Sequence, residues 1–110
     1  MAYDETLAER VRDALALEPD VSERKMFGGL CFMVGDHMAC GVLKEDLIVR
    51  VAPEEHDGLV ARPHVRAFDF TGRSVKGMVY VGPDATRADG DLRGWIDRAV
   101  AHARTRPRKK

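Results

Sequence analysis

Two adjacent glycines stand directly before an apolar, strand-like run in the first third of the chain. The segment reads Met26-Phe27-Gly28-Gly29, and the run that follows is Leu30-Cys31-Phe32-Met33-Val34. Glycine is unfavourable inside a plain strand because it loses more backbone entropy on folding than other residues and has no side chain to pack. The pair therefore predicts a bulge or a tight bend, and we expect a bulge within one long first strand.

A hairpin is predicted immediately after this run. Gly35 and Asp36 separate two apolar segments, and glycine at the first loop position supplies the positive φ of a type II′ turn. With these two residues as the loop, Cys31 faces Cys40 as a closely spaced, non-hydrogen-bonded pair on one face of the sheet. This register predicts that the two thiols lie near disulfide distance.

Three interpretations of the cysteine pair remain open. Cys31 and Cys40 can be reduced core thiols beside Met33 and Met38, since buried Cys and Met are common core fillers. They can form a reversible disulfide, which a cytoplasmic setting makes conditional. The two thiols and two thioethers can also bind a soft cation such as Cu(I). Because the spacing fits neither a Cys-x-x-Cys redox motif nor a zinc site, we expect reduced thiols and no metal or cofactor.

The remaining pattern predicts further helices, strands and loops. Apolar residues at helical spacing indicate helices over 4–17, from Pro53 to before Pro63, and over 91–102. Strands are expected over 47–51, 65–70 and 78–81, with a glycine-bounded loop over 72–77 and a polar linker over 82–90. Short turns make consecutive strands antiparallel. The predicted fold class is α+β, two layers with helices packed against a curved antiparallel sheet, in the order α-βββ-α-ββ-α.

The composition is that of an ordinary globular domain. The chain has 110 residues, of which 45% are hydrophobic and 33% charged. No apolar run approaches the roughly 18 residues that span a bilayer. Asp4 and Glu5 stand where a signal peptide requires basic residues. We therefore expect a cytoplasmic protein that does not contact a membrane.

The net charge of zero conceals an uneven distribution of charge. Residues 104–110 hold five of the 18 basic residues, which leaves 13 basic and 18 acidic residues over 1–103, a formal charge of −5. We predict one domain over 1–103 and a disordered basic tail over 104–110. An acidic body disfavours the broad basic face of a duplex-binding domain. Nucleic-acid binding is therefore expected to be weak and non-specific at most.

The sequence contains no recognisable catalytic motif. Lys76 precedes its glycine and a strand follows, whereas a phosphate-binding loop requires lysine after the glycine at the start of a helix. The serines lack a nucleophile elbow, and the four histidines are scattered, which predicts exposed or rim positions for them. We therefore expect no enzyme and no catalytic residue. Arg50, Arg73 and Lys76 remain a candidate anion-binding set, with a plain polar hairpin loop as the alternative.

Two short segments carry a family resemblance across most of the chain. They comprise Met26, Phe27, Gly28 and Gly29 and, further on, Gly72, Arg73, Lys76 and Gly77. With the opening helix, the strand over 47–51 and the helix around Trp95, the chain resembles the N-terminal domain of the TfoX/Sxy family, which is known for regulators of bacterial competence. The resemblance implies a stand-alone bacterial α+β module linked to transcription or competence, without the C-terminal helical domain of the full-length regulators.

Three functional hypotheses follow. The first is a non-enzymatic regulatory or protein-interaction module with an unidentified protein partner or a homodimer, because helices are expected to cover only one face of the sheet. The second is a nucleic-acid-associated regulator that uses the basic tail with Arg50, Arg73 and Lys76. The third is a thiol redox or soft-metal responsive protein that uses Cys31 and Cys40. We favour the first.

Overall fold

The computed structural model describes residues 3–26, 28–35, 37–70 and 73–105, without the side chains of Met26, Asp69, Phe70 and residues 73–76. These ranges contain three helices and six strands. They are α1 (Glu5–Ala14), β1 (Val21–Met26), β2 (Gly29–Val34), β3 (His37–Leu43), β4 (Asp46–Arg50), α2 (His56–Val60), β5 (Val65–Phe70), β6 (Arg73–Val81) and α3 (Asp89–Thr105). Short 3-10 turns over Pro53–Glu55 and Pro83–Ala85 precede α2 and α3.

The strands form one sheet in the order β1-β2-β3-β4-β6-β5, and all neighbouring strands are antiparallel. Residues of all three helices pack with one face of this sheet in the main core, which includes Leu7, Val11, Leu59, Trp95 and Ile96. The predicted α+β class, with helices against an antiparallel sheet, is confirmed. None of the helices in the described ranges is long and apolar enough to cross a bilayer.

Helix α1 begins where its sequence predicts. Asp4 lies at the N-cap, and its Oδ1 accepts hydrogen bonds from the backbone N–H groups of Thr6 (2.8 Å) and Leu7 (3.1 Å). Such a cap satisfies amides that have no partner inside the helix and contributes about 1 kcal/mol. Arg12 connects the helix to β1 through Glu23, with Nε–Oε2 and Nη2–Oε1 distances of 2.6 and 2.9 Å.

The glycine pair closes a hairpin, so the predicted bulge within one long strand is wrong. Met26 pairs with Gly29, and Gly28 lies in the loop with φ +78°. A Cβ atom on Gly29 would overlap the carbonyl oxygen of Val42 on β3. The two positions thus require glycine for different reasons. Gly28 adopts a left-handed backbone conformation, and Gly29 allows the backbone of β3 to approach closely. The described residues before α2 form four strands instead of three; Phe27 lies outside them.

The predicted loop over 72–77 is a strand over most of its length. β6 begins at Arg73, which pairs with Phe70, and the register shifts by three residues between Ala67 and Phe68 of β5. Within the shifted segment, the carbonyl of Gly77 accepts a hydrogen bond of 2.9 Å from the N–H of Val51. Residues 73–77 therefore contribute to the sheet, while 71 and 72 lie outside the described residues.

Helix α3 is longer than the sequence predicts at both ends. It begins at Asp89, inside the predicted linker, and continues to Thr105. Arg104 donates hydrogen bonds to Glu18 Oε1 (2.9 Å) and to the carbonyl of Pro19 (3.2 Å). The predicted tail therefore does not begin at residue 104, because that residue is helical and ion-paired. Residues 106–110 lie outside the described ranges.

Candidate functional site

A second apolar cluster occupies the face of the sheet opposite the helices. Its buried members are Cys31, Met38, Ile48, Phe68 and Met78, and Met33, Leu43 and Tyr80 pack against it while partly exposed. We call these eight residues the strand-face cluster, and the face that carries them the helix-free face. Among the described residues, every member of this cluster comes from a strand. The face expected to be left open thus has a buried apolar centre with partly exposed residues around it.

One row of residues crosses the helix-free face from edge to edge. Successive register pairs connect Arg24, Cys31, Gly41, Ile48, Tyr80 and Arg66. Directly opposite residues share a face of the sheet, so an arginine lies at each end of the row and apolar residues lie between them. With strands about 4.8 Å apart, the row extends roughly 24 Å along the sheet.

The two terminal arginines differ in their environment. Arg66 donates a hydrogen bond of 2.6 Å from Nη2 to Asp46 Oδ2, and its guanidinium carbon lies 5.0 Å from the centroid of the Tyr80 ring. Tyr80 in turn packs against Phe68, with ring centroids 5.0 Å apart. Arg24 is exposed on edge strand β1 and makes no ion pair with the described residues. Arg24 therefore keeps its charge available to a binding partner.

The structure does not bring Cys31 and Cys40 together. Met33 faces Met38 as predicted, but the register then shifts, so that Cys40 pairs with Phe32 and Cys31 pairs with Gly41. The extra residue on β3 forms a β-bulge and turns Cys40 to the helix side of the sheet. Cys40 belongs to the main core and Cys31 to the strand-face cluster. The predicted register is therefore wrong beyond Met33.

The environment of both thiols favours the protonated form. Burial raises the pKa of Cys31 to about 11. Burial, together with a smaller effect of the neighbouring Cys31, raises the pKa of Cys40 to about 12. Since the thiolate is the nucleophile and the metal ligand, two protonated thiols are typical of core positions. The third functional hypothesis thus loses its proposed cysteine pair.

The two family segments lie far apart in the sheet topology. The hairpin that contains Gly28 and Gly29 joins β1 to β2, whereas Arg73, Lys76 and Gly77 lie on β6, in the outer hairpin on the opposite side of the sheet. The antiparallel register also places the segments at opposite ends of the strands. Gly28 and Gly29 satisfy backbone requirements of the first hairpin, and the distance between the two segments in the sheet shows that they do not form one site.

The candidate anion-binding set is only partly described. Arg50 pairs with Met78 across β4 and β6, and its Nε lies 4.0 Å from the position that a Cβ atom on Gly77 would take. The side chains of Arg73 and Lys76 lie outside the described atoms, and so does Gly72. Arg50 therefore lies beside the second family segment, and the three-residue set stays a prediction.

One histidine departs from the prediction of exposed positions. His56 at the start of α2 has a side chain only 6% exposed, and its Nδ1 lies 3.1 Å from Asp57 Oδ1. Its buried Nε2 has no hydrogen-bond partner among the described residues. The apolar spacing of Leu59 and Val60 was the only sequence signal that this short helix packs inward. Within the described ranges, no three His, Cys, Asp or Glu side chains cluster as a metal site.

Comparison with known proteins identifies one family. A family model described as the TfoX N-terminal domain matches residues 13–103. No curated protein and no solved structure matches the chain. The matched range begins within α1 and ends near the C-terminus of α3, so it covers the whole sheet and all three helices at least in part.

Proposed function

Because this chain belongs to the TfoX N-terminal domain family, we propose that it is a non-enzymatic protein-interaction module in bacterial regulation and that its helix-free face is the contact surface. The link to transcription or competence is part of this proposal. The family match supports the type of domain, and the chemistry of the helix-free face supports the mode of action.

The row from Arg24 to Arg66 carries the proposal. Protein interfaces are enriched in Arg, Tyr and Met, and their binding energy concentrates where such side chains surround an apolar centre. Here Met33 and Tyr80 are partly exposed beside the buried centre of the row, and Arg24 is exposed at its edge. The module thus offers a small apolar anchor site next to Arg24, which forms no ion pair with the part of the chain that the structure describes.

Charge on this face indicates the chemistry of the partner. Arg24, Arg50 and Arg66 lie on it by register, and the carboxylate of Asp46 is paired with Arg66. A protein segment with acidic side chains beside an apolar residue is therefore complementary. A second copy is the less favourable occupant, because a symmetric contact would place two positively charged surfaces against each other.

Charge reversal tests this proposal. Tagged wild-type chain, Arg24→Glu and Arg93→Glu are isolated from the native host, and the accompanying proteins are quantified by mass spectrometry. Arg93 is exposed on α3 and, among the residues that the structure describes, pairs with Asp97 of its own helix; it serves as the matched control. We expect a partner that accompanies the wild type and Arg93→Glu but is lost with Arg24→Glu. Equal loss with both variants, or no loss with Arg24→Glu, contradicts the proposed surface.

A further inference from the structure

Sulfur is concentrated on one side of the sheet. Of the sulfur-containing side chains that the structure describes, Cys31, Met33, Met38 and Met78 belong to the strand-face cluster, and only Cys40 belongs to the main core. Cys31 and Met38 are buried, whereas Met33 is partly exposed. The distribution depends on the bulge in β3, because an unshifted register would have placed Cys40 on the same face as Cys31.

Two of these side chains converge over Gly41. This glycine pairs with Cys31 at the centre of the sheet, where a side chain would otherwise occupy the helix-free face. A Cβ atom at Gly41 would lie 3.3 Å from Cys31 Sγ and 3.3 Å from Met38 Cε. The thiol and the thioether end of Met38 thus fold into the space that the missing side chain leaves.

Met33 completes a group of three sulfur side chains. It is directly opposite Met38 across the β2–β3 ladder, and it lies two residues after Cys31 on the same strand and face. Directly opposite residues have Cβ atoms about 5 Å apart, within reach of two long side chains that share one ion. Because Met33 is the partly exposed member, it also provides access from solvent.

We propose that Cys31, Met33 and Met38 bind one soft monovalent cation, Cu(I) or Ag(I). Thiolate and thioether ligands favour such ions over Mg²⁺ or Ca²⁺, which require oxygen ligands. The cation displaces the thiol proton, so that Cys–SH and M⁺ give Cys–S–M and H⁺, and the thioethers donate lone pairs without any change of oxidation state. The product is neutral, which suits the apolar surroundings of Ile48, Phe68 and Met78.

The proton balance makes the proposed binding dependent on pH. The thiolate is the form of cysteine that binds these cations, so each bound cation releases the thiol proton. The apparent affinity should therefore rise about tenfold for each pH unit over the range in which the free thiol is protonated. A site made of thioethers alone would show no such dependence, so the pH profile reports whether Cys31 is a ligand.

Competition for Cu(I) against bicinchoninate, under anaerobic and reducing conditions, tests the site directly. Native mass spectrometry with Ag(I) gives the stoichiometry. We expect one equivalent bound by the wild type, at least tenfold weaker binding by Cys31→Ser and by Met38→Leu, and wild-type affinity in Cys40→Ser. Cys40→Ser is the matched control, because it removes the other buried thiol on the opposite face.

Three results would overturn the site. They are the absence of stoichiometric binding by the folded wild type, unchanged binding by Cys31→Ser, and equal weakening by Cys40→Ser. Near-UV circular dichroism of each metal-free variant controls for folding. Should Cys31→Ser fail to fold, Met38→Leu decides, because that replacement nearly conserves volume while it removes the thioether. The outcome is independent of whether the domain has a protein partner.

Discussion

Cys31 and Cys40 lie on adjacent strands but on opposite faces of the sheet, and the bulge in β3 separates them. A disulfide requires Cβ atoms about 3.8 Å apart whose vectors point toward each other. Side chains on opposite faces do not meet this requirement. The bulge also determines which sulfur groups share a face, because Met33 and Met38 lie on the same face as Cys31 and Cys40 does not.

We therefore predict that no intramolecular disulfide forms in the folded protein, even with a strong thiol oxidant. After oxidation, the remaining thiols are alkylated under denaturing conditions and counted by mass spectrometry. Two alkylated thiols per chain are expected. As the control, the thiols of unfolded protein are counted with and without the oxidant. An intramolecular Cys31–Cys40 bond in the folded protein would contradict the register shift in β3.

The glycines of the first hairpin should be intolerant of a side chain. Gly29→Ala should destabilise the fold by about 1–3 kcal/mol, because its Cβ would overlap the carbonyl oxygen of Val42. Gly28→Val should cost a similar amount, because φ is +78° at that position. Urea denaturation measures both.

Gly94 provides the matched control for these substitutions. It lies exposed within α3, with nothing within 4 Å of a Cβ atom at that position. Gly94→Ala should stabilise the fold by about 0.5–1 kcal/mol, because alanine is the better helix former. Should Gly29→Ala unfold at the same urea concentration as the wild type, the close approach to β3 would be refuted.

The contact between α1 and β1 should depend on pH. The hydrogen bond from Arg12, followed by its charge, lowers the pKa of Glu23. Because the pKa of Glu23 is lower in the folded state, its ionised carboxylate stabilises the fold at pH values above the unfolded-state pKa of about 4.3. This stabilisation disappears as the pH falls through the folded-state pKa. Glu23→Gln should therefore be less stable than wild type at pH 7, and the difference in stability should shrink as the pH falls below about 4.3. A stability difference that persists or grows in acid would contradict this assignment.

Nucleic-acid binding should be weak, indifferent to sequence and steeply dependent on salt. Each phosphate that the protein neutralises adds roughly 0.9 to the slope of log affinity against log salt on duplex DNA. Removal of residues 106–110 should abolish the binding and leave the fold intact. The truncation begins after residue 105, because Arg104 pairs with Glu18 and has to be retained. Fluorescence anisotropy at two salt concentrations measures this. Sub-micromolar, sequence-dependent binding by the truncated chain would favour the nucleic-acid hypothesis instead.

Much of the fold could be predicted because its signals are local. Gly35 adopts φ +62° and Val34 pairs with His37, as the hairpin signal indicates. The cap at Asp4 and the apolar stripes of the helices also appear where periodicity and capping chemistry predict them. These features depend on a few neighbouring residues, so the sequence determines them directly.

The candidate site could not be predicted because it depends on register. The extra residue in β3 is Ala39, whose side chain gives no signal of a bulge, and the single shift changes which residues share the face of Cys31. The start of β6 at Arg73 likewise depends on pairing with Phe70 across the sheet. Gly41 carries no signal as a site residue either, since its effect is to leave space for Cys31 and Met38.

Photo-crosslinking in the native host tests most directly whether the helix-free face contacts another protein. A photoreactive amino acid replaces Met33, which is partly exposed on that face, or Arg93, which is exposed on α3. We predict a discrete adduct with one other protein from position 33 and none from position 93, and a lower yield at position 33 when Arg24→Glu is added. An adduct from position 93 alone, or equal adducts from both positions, would contradict the proposed interaction surface.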